Sequence, residues 1–226
     1  MNLERTETLL GAAAMARLKA LTVAVYGLGG VGGWCAEALL RSGVGKLILI
    51  DDDRVQPSNL NRQCCATAAT LGRDKASAMR ERLLAIDPAA MIDARNERYT
   101  PGAELAECDA VVDAIDSVDC KCALVLAADA AGKPLFSSLG AAKRLDPTRV
   151  RLKKFSKVEG DGLARAMRRR FRRGGEFPSR DFLCAVSDEP PADIATLGSM
   201  MPVTATFGMA LAAAVIAHCR AASAPE

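Results

Sequence analysis

The sequence predicts an α/β protein with a Rossmann-like, doubly wound and mostly parallel sheet and a C-terminal α+β extension. An apolar, β-branched run at 21–26 leads into the glycine loop at 27–32, and a helical pattern follows that loop. A second apolar run at 47–50 ends on Asp51. Near-continuous apolar runs of this length are typical of strands buried on both faces of a parallel sheet. Strand, glycine turn, helix, strand and acid together indicate a nucleotide-binding βαβ unit.

The remaining elements follow from periodicity and from turn residues. The first ten residues have the pattern of a short amphipathic arm that precedes a helix. Ser117 is a suitable N-cap for the helix after the fourth strand. The predicted helices cover 13–20, 34–40, 72–86, 117–131, 163–173 and 200–219, and the later strands cover 91–95, 110–114, 134–138, 149–155 and 182–186.

Charge divides the chain into two parts. The stretch 143–173 contains 13 lysines and arginines against three acids, whereas the rest of the chain has a net charge of −7. A basic face on a near-neutral protein indicates a polyanionic partner. We therefore predict an ATP-binding region at 1–140 and a basic extension at 141–226 for substrate binding and dimerisation, both integrated in one domain.

The N-terminus and the cysteines indicate a cytoplasmic protein. The first residues are charged and show no apolar signal-peptide core, and eight cysteines without a secretion signal are typical of reduced thiols. The most apolar stretch, 200–219, is interrupted by Pro202 and His218. We expect it to form a core or dimer helix, with peripheral membrane contact as the alternative. The cysteines form no CxxC pair, so no zinc is expected.

Polar residues behind the glycine loop favour a triphosphate over other nucleotides. Asn59 and Arg62 follow Asp51 within a dozen residues, and Lys75 lies in the next helical pattern. Guanidinium and ammonium groups bind phosphate oxygens. Asp116 follows the fourth predicted strand, and a carboxylate beside a triphosphate is a suitable ligand for Mg²⁺. The sequence therefore favours ATP together with Mg²⁺.

Five motifs punctuate the first half of the chain. They are the Gly-x-Gly-Gly-x-Gly loop, the Ile-Asp-x-Asp strand end, the Ser-Asn-x-x-Arg-Gln loop, the Gly-x-x-Lys helix start and the Asp-Ala-x-Asp segment. Together they resemble the ubiquitin-activating, HesA/MoeB/ThiF superfamily of adenylating enzymes. Within it, the chain is most similar to the tRNA threonylcarbamoyladenosine dehydratases, on the evidence of Arg5-Thr6-Glu7, 112–117, Gly140 with 145–148, 163–168, 184–189 and Gly198-Ser199.

The resemblance implies a role for each matching residue. Arg5, Arg62, Lys75 and Asp116 are the catalytic candidates, and Arg5 would reach the ATP of the neighbouring subunit in a homodimer. Asp116 would hold Mg²⁺. The cofactor-binding candidates are Gly27, Gly29, Gly30 and Gly32 around adenine and phosphate, Asp51 on the ribose with Asp53 beside it, and Asn59, Arg62 and Lys75 on the triphosphate.

The resemblance also implies a reaction and a partner. ATP would activate the threonyl carboxylate of threonylcarbamoyladenosine in tRNA, and the group would then close to its cyclic form with loss of water. Lys143, Arg144, Arg168 and Arg169 are candidates for tRNA contact, and a solvated helix face is the alternative. Cys184 is either a reactive thiol, which would suit a sulfur-transfer protein as partner, or a small buried hydrophobe.

Two departures and three competing functions accompany this interpretation. Cys64-Cys65 stands where Ile-His is common, and Gly140-Ala141-Ala142 stands where Gly-Ala-Gly is frequent. The first competing function is an adenylyltransferase for a ubiquitin-like or sulfur-carrier protein. A NAD-dependent oxidoreductase and a non-catalytic nucleotide sensor are the others, and the single histidine, His218, offers little for hydride chemistry.

Overall fold

A computed structural model describes residues 1–221 and contains one seven-stranded sheet in the order β3-β2-β1-β4-β5-β7-β6. All neighbouring strands are parallel except β6, which runs antiparallel to β7. This arrangement confirms the predicted fold class. The strands are β1 Thr22–Tyr26, β2 Lys46–Ile50, β3 Met91–Arg95, β4 Ala110–Asp113, β5 Leu135–Ser138, β6 Val150–Lys154 and β7 Leu183–Ser187.

Helices cover both faces of the sheet. One face packs against α2, α3, α4 and α7, and the opposite face packs against α5 and α6. Successive residues of β1 alternate between these two cores, as the pleat of a strand requires. The helices are α1 Glu4–Leu10, α2 Ala12–Ala20, α3 Gly32–Arg41, α4 Lys75–Ile86, α5 Val118–Ala130, α6 Gly162–Gly174 and α7 Met201–Ala221.

The strand order reverses between β1 and β4. The chain winds outward from β1 to β2 and β3, then returns to place β4 on the other side of β1. In open parallel sheets, ligands bind at this reversal, beyond the carboxyl ends of the strands. The functional site is therefore expected where β1, β2 and β4 end.

The C-terminal part of the chain completes the same sheet. The strand β7 pairs with β5, with Ser137 opposite Cys184, and β6 forms the outer edge. The helix α7 returns across the sheet and packs along α3 through buried Val203, Phe207 and Leu211. The division into functional regions at 1–140 and 141–226 stays a prediction.

The helix α7 also has the length and apolar composition of a membrane-spanning helix. The sequence analysis predicted a core or dimer helix here and no membrane span. Half of its most apolar window is buried inside the protein. It contacts α2, α3, β5, β6 and β7, so it forms part of the folded core.

Two local predictions differ from the structure, and a third is confirmed in position only. The N-terminal arm is the helix α1, which has no buried residue. The helix α4 begins at Lys75 and not at Gly72, because Gly72 lies in a turn with a φ of +78°. Ser117 is the N-cap residue of α5, but its side chain makes no capping hydrogen bond.

Candidate nucleotide-binding site

A cavity of about 410 Å³ lies at the carboxyl ends of β1, β2 and β4, where the strand order reverses. Residues from four separate loops meet there. Its walls include nine of the residues singled out from the sequence, namely Gly27, Gly29, Gly30, Asp51, Asp53, Asn59, Arg62, Lys75 and Asp116.

The glycines of the loop after β1 have different tasks. Gly27 has a φ of +86°, and a Cβ there would lie 2.7 Å from the carbonyl oxygen of Ala114. Gly29 lines the cavity, and a Cβ there would meet nothing closer than 3.8 Å. Gly32 lies outside the cavity lining, and its Cβ would collide with the carbonyl of Gly27 at 1.8 Å. Gly32 is therefore required for the packing of the loop onto itself, and its contact with a nucleotide stays a prediction.

Asp51 ties the glycine loop to the end of β2. Its Oδ2 accepts the N–H of Leu28 at 2.6 Å, and its Oδ1 accepts the N–H of Asp53 at 2.9 Å. Burial raises the pKa of Asp51, while the nearby Lys75 ammonium and the two backbone donors partly offset that effect. The carboxylate is thus fixed in orientation at the place where a ribose-binding acid belongs.

Lys75 is a buried cation at the first position of α4. Its Nζ lies 2.7 Å from Asp53 Oδ2, and its side chain is only 7% exposed, whereas that of Asp53 is 67% exposed. An ammonium that has lost most of its water favours an anionic partner. A triphosphate entering the cavity would find this cation already in place.

Arg62 and Asn59 are held by the loop that contains them. Arg62 Nη1 donates to the Ser58 carbonyl at 2.9 Å and to Asn61 Oδ1 at 3.0 Å. The main-chain carbonyl of Arg62 accepts the indole N–H of Trp34 at 2.9 Å, which anchors the loop to α3. Asn59 is buried and accepts the N–H of Gln56 at 3.0 Å. The guanidinium therefore faces the cavity from a fixed backbone.

Asp116 presents an exposed carboxylate to the cavity. It forms no hydrogen bond or ion pair with any other residue of the described chain, 1–221. Asp51, Asp52 and Asp53 form a second group of carboxylates, whose oxygens lie within 4.8 Å of one another. Carboxylate oxygens are the protein ligands that Mg²⁺ prefers, so the donor set fits the expected metal.

The cavity wall also includes a residue with an unpaired polar atom. Gln63 Oε1 is buried without a hydrogen bond among the described residues, and Gln63 belongs to the cavity wall. Together with the cations Arg62 and Lys75 and the open Gly29, this wall offers the chemistry that a nucleoside triphosphate requires.

A buried polar network behind the cavity was missed in the sequence. Asp113, at the end of β4, forms an ion pair of 2.7 Å with Lys121 in α5, and both side chains are 0% exposed. Ser137 Oγ donates to Asp113 Oδ2 at 2.7 Å. The available signal was Lys121 itself, a lysine between two cysteines in an otherwise apolar helix.

Two of the basic residues proposed for tRNA contact have structural tasks, which corrects their assignment. Arg144 is 4% exposed, donates from Nη1 to the Glu189 carbonyl, and has Nη2 at 3.9 Å from Asp161. Arg168 donates from Nη2 to the carbonyls of Phe155 and Val158 at 2.7 and 2.8 Å. Each guanidinium group therefore binds main-chain carbonyls within the fold, although the buried Arg144 Nε has no partner among the described residues.

The other two basic candidates also differ from each other. Lys143, which has a φ of +60°, donates from Nζ to the Ile194 carbonyl and from its N–H to the Gly198 carbonyl at 2.8 Å, so it anchors the 189–200 segment. Arg169 is exposed on α6, and its side chain has no ion pair or hydrogen bond to any other described residue. Only Arg169 keeps the surface position that the sequence predicted.

Cys184 is a fully buried thiol in this fold. It is 0% exposed, and burial raises the pKa of its thiol well above the usual value. The thiolate is the nucleophilic form of cysteine, so these observations favour the interpretation of Cys184 as a small buried hydrophobe. Arg5, on α1, does not line the cavity of its own chain, and its contact with a neighbouring subunit stays a prediction.

Comparison with known proteins finds matches that extend over most of this chain. The profile of the ThiF family matches residues 3–219. A tRNA threonylcarbamoyladenosine dehydratase of Bacillus subtilis is 39% identical over 177 residues, which are 76% of this chain and 69% of that protein. The dehydratase of Haemophilus influenzae is 32% identical over 226 residues, which are 89% of this chain and 87% of that protein.

A solved structure extends this similarity to three dimensions. The crystal structure of the Escherichia coli tRNA N6-threonylcarbamoyladenosine dehydratase in complex with ATP has a TM-score of 0.90 and 32% sequence identity to this chain. The match covers 97% of this chain and 93% of that one. The chain therefore belongs to the ThiF family.

Proposed function

We propose that the protein is an ATP-dependent tRNA threonylcarbamoyladenosine dehydratase. The observation that carries this proposal is the meeting of Arg62, Lys75 and Asp116 in one cavity, in a chain that matches a dehydratase solved with ATP over nearly its whole length. The cavity chemistry supports a triphosphate, and the relatives support the tRNA nucleoside as the group that is activated.

The reaction removes one water in two steps. A carboxylate oxygen of the threonyl group attacks the α-phosphorus of ATP, and the bond to pyrophosphate breaks. A nucleophilic atom of the neighbouring carbamoyl group then attacks the activated carbonyl carbon, AMP leaves with the original carboxylate oxygen, and one proton is released. Ring closure needs no nucleophile from the protein, because the two reacting groups already belong to one molecule.

The protein's contribution is to hold charge and geometry at the phosphates. Lys75 and Arg62 place two cations against the negative charge that develops on the phosphorus oxygens. Asp51, fixed by the Leu28 and Asp53 amides, orients the ribose. Asp116 would hold Mg²⁺, which when bound offsets the charge of the triphosphate.

The tRNA is expected to contact the outer face of α6. Arg165, Arg169, Arg172 and Arg173 are exposed there, and none of their side chains has an ion pair or hydrogen bond within residues 1–221. The opposite side of α6 is buried through Met167 and Phe171, which fixes the helix on the sheet. Unpaired arginines on a rigid helix suit the regularly spaced phosphates of an RNA backbone.

A homodimer is part of the proposal. The helix α7 exposes Met201, Met209, Ala213 and Ala217 along one side, and this stripe contains no charge. Exposed apolar stripes of this kind mark association surfaces. A dimer would allow Arg5, on the exposed helix α1, to approach the partner's cavity. We assign the protein to the cytoplasm, in keeping with eight buried thiols that form no disulfide within the described chain.

The test determines which substrates the formation of AMP requires. Purified protein is incubated with ATP, Mg²⁺ and tRNA that carries threonylcarbamoyladenosine, with its threonyl carboxylate labelled by ¹⁸O. We expect AMP to form only with this tRNA and to contain the label. Label in inorganic phosphate would show transfer of the γ-phosphoryl group. AMP formation that requires a carrier protein with a Gly-Gly tail would replace the tRNA assignment with a carrier adenylyltransferase.

A further inference from the structure

A fully buried ion pair, between Asp113 and Lys121, lies directly beneath the loop that carries Asp116. Asp113 Oδ2 accepts from Lys121 Nζ and from Ser137 Oγ, both at 2.7 Å. The other oxygen, Oδ1, accepts the backbone N–H of Ile115 at 3.1 Å. One carboxylate therefore joins β4, β5 and α5 and also fixes the first turn of the loop between β4 and α5.

Stability alone is a poor reason for this arrangement. Both charged side chains are fully buried, and the removal of two charges from water costs about as much free energy as their mutual attraction returns. Buried ion pairs can often be replaced by apolar residues without loss of stability. The distinctive consequence of this pair is geometric, because both Asp113 oxygens are assigned to particular donors.

The position of Asp116 depends on that geometry. Its carboxylate has no partner among the described residues, so no side-chain contact holds it. Its backbone is fixed on one side by the Ile115 amide on Asp113 and by the Ala114 N–H on the Tyr26 carbonyl at 2.8 Å. On the other side, the Lys121 N–H donates to the Ser117 carbonyl at 2.9 Å, as α5 begins.

We propose that Asp113, held by Lys121 and Ser137, is a positioning residue that sets how strongly Mg²⁺ couples to ATP binding through Asp116. This inference rests on the proposed function, since it takes Asp116 as the Mg²⁺ ligand. It assigns no contact with ATP or tRNA to the network itself. Residues that orient a metal ligand typically change metal affinity or activity by roughly 10–100-fold when they are replaced.

The experiment measures ATP affinity by titration calorimetry over a series of Mg²⁺ concentrations, without tRNA. Asp113→Asn keeps the side-chain shape but leaves one oxygen to serve donors that now use two. Ser137→Ala removes the two hydrogen bonds of the Ser137 hydroxyl, to Asp113 and from Lys121, and leaves the ion pair, so it folds even if the first variant does not. Asp129→Asn is the matched control, because Asp129 lies in α5 with Lys121, accepts hydrogen bonds from Ser179 and Arg180, and lines no part of the cavity.

The predicted effect on Mg²⁺ coupling is larger for Asp113→Asn than for Ser137→Ala. Asp113→Asn should raise the Mg²⁺ concentration for half-maximal coupling by roughly tenfold, and Ser137→Ala by a smaller factor. ATP affinity without Mg²⁺ should stay unchanged in both variants, and Asp129→Asn should match the wild type. Normal coupling in folded Asp113→Asn or in Ser137→Ala, together with lost coupling in Asp116→Ala, would overturn the positioning role.

The remaining outcome separates this inference from the proposed function. If Asp116→Ala keeps normal Mg²⁺ coupling, Asp116 is not the metal ligand and the positioning role is overturned with it. The dehydration of tRNA is measured independently, so the proposed function would survive that result.

Discussion

The two cation-rich regions of this protein are built in opposite ways. In the cavity, Lys75 is paired with Asp53 at 2.7 Å, and the Arg62 guanidinium is held by the Ser58 carbonyl and Asn61. On α6, the side chains of Arg165, Arg169, Arg172 and Arg173 have no partner within the described chain. Cations that are fixed in advance suit a compact ligand whose charge must be stabilised at one place. Free cations on a surface suit a long polyanion that is read by its overall charge.

The largest expected effect is the loss of AMP formation in the cavity variant Lys75→Met. Loss of the buried ammonium removes charge stabilisation at the phosphates, so AMP formation should fall by a factor of about 10²–10³. Rapid-quench measurement of AMP with bound tRNA checks this value. Lys19→Met is the control, because Lys19 is 57% exposed and lies 4.0 Å from Glu7. Equal activity of both variants would contradict a catalytic role for the cavity lysine.

The α6 surface should respond in tRNA affinity and not in ATP affinity. The triple replacement Arg165→Gln, Arg169→Gln and Arg172→Gln should weaken tRNA binding and lower the slope of log affinity against log salt by about 2. Arg170→Gln is the matched control on the same helix, because Arg170 is paired with Asp119 at 2.6 Å. An unchanged salt slope in the triple variant would exclude this helix face from the tRNA interface.

Arg168 should behave unlike its neighbours on α6. It lies 4.8 Å above the Phe155 ring and donates to two carbonyls, so Arg168→Ala should cost about 2 kcal/mol of unfolding free energy. Chemical denaturation measures this loss. The salt slope of tRNA binding by the folded fraction should stay close to that of the wild type. A reduced slope with full stability would return Arg168 to the tRNA surface.

The contrast between the cavity and the α6 surface also explains which features were predictable from the sequence. The cavity residues lie in short motifs at strand ends, and the parallel sheet brings those ends together, so Gly27, Asp51 and Lys75 could be placed in one site. The basic stretch could be located but not resolved, because Arg144 turns inward to Asp161 and Arg169 turns outward. The Asp113–Lys121 pair joins two elements through side chains alone, and no local spacing rule describes such a contact.

Acid should weaken the fold through carboxylates such as Asp129, which connects α5 to the segment before β7. Burial alone would raise the pKa of Asp129, but hydrogen bonds from Ser179 and Arg180 outweigh that effect and hold the pKa below its usual value. Its stabilising contribution is therefore complete above the unfolded pKa, about 3.9, and is lost as the pH falls through the lower folded pKa. Thermal unfolding of Asp129→Asn should show a shallower loss of stability in acid than the wild type. An equal loss of stability with falling pH in Asp129→Asn and in the wild type would contradict this assignment.

The smallest expected effect concerns Cys184. Because its thiol is fully buried and protonated, Cys184→Ala should leave tRNA-dependent AMP formation within about twofold of the wild type. A thiol-alkylating reagent should not label Cys184 in the native protein, as mass analysis of the digested chain would show. Loss of activity with retained stability would reinstate the thiol as a functional group.

The most direct measurement is nucleoside mass analysis of tRNA after incubation with the purified protein, ATP and Mg²⁺. The tRNA must already carry threonylcarbamoyladenosine. We predict that this nucleoside loses the mass of one water in an ATP-dependent manner, and that Asp116→Ala abolishes the change. An unchanged nucleoside, in the presence of tight ATP binding, would contradict the dehydratase function.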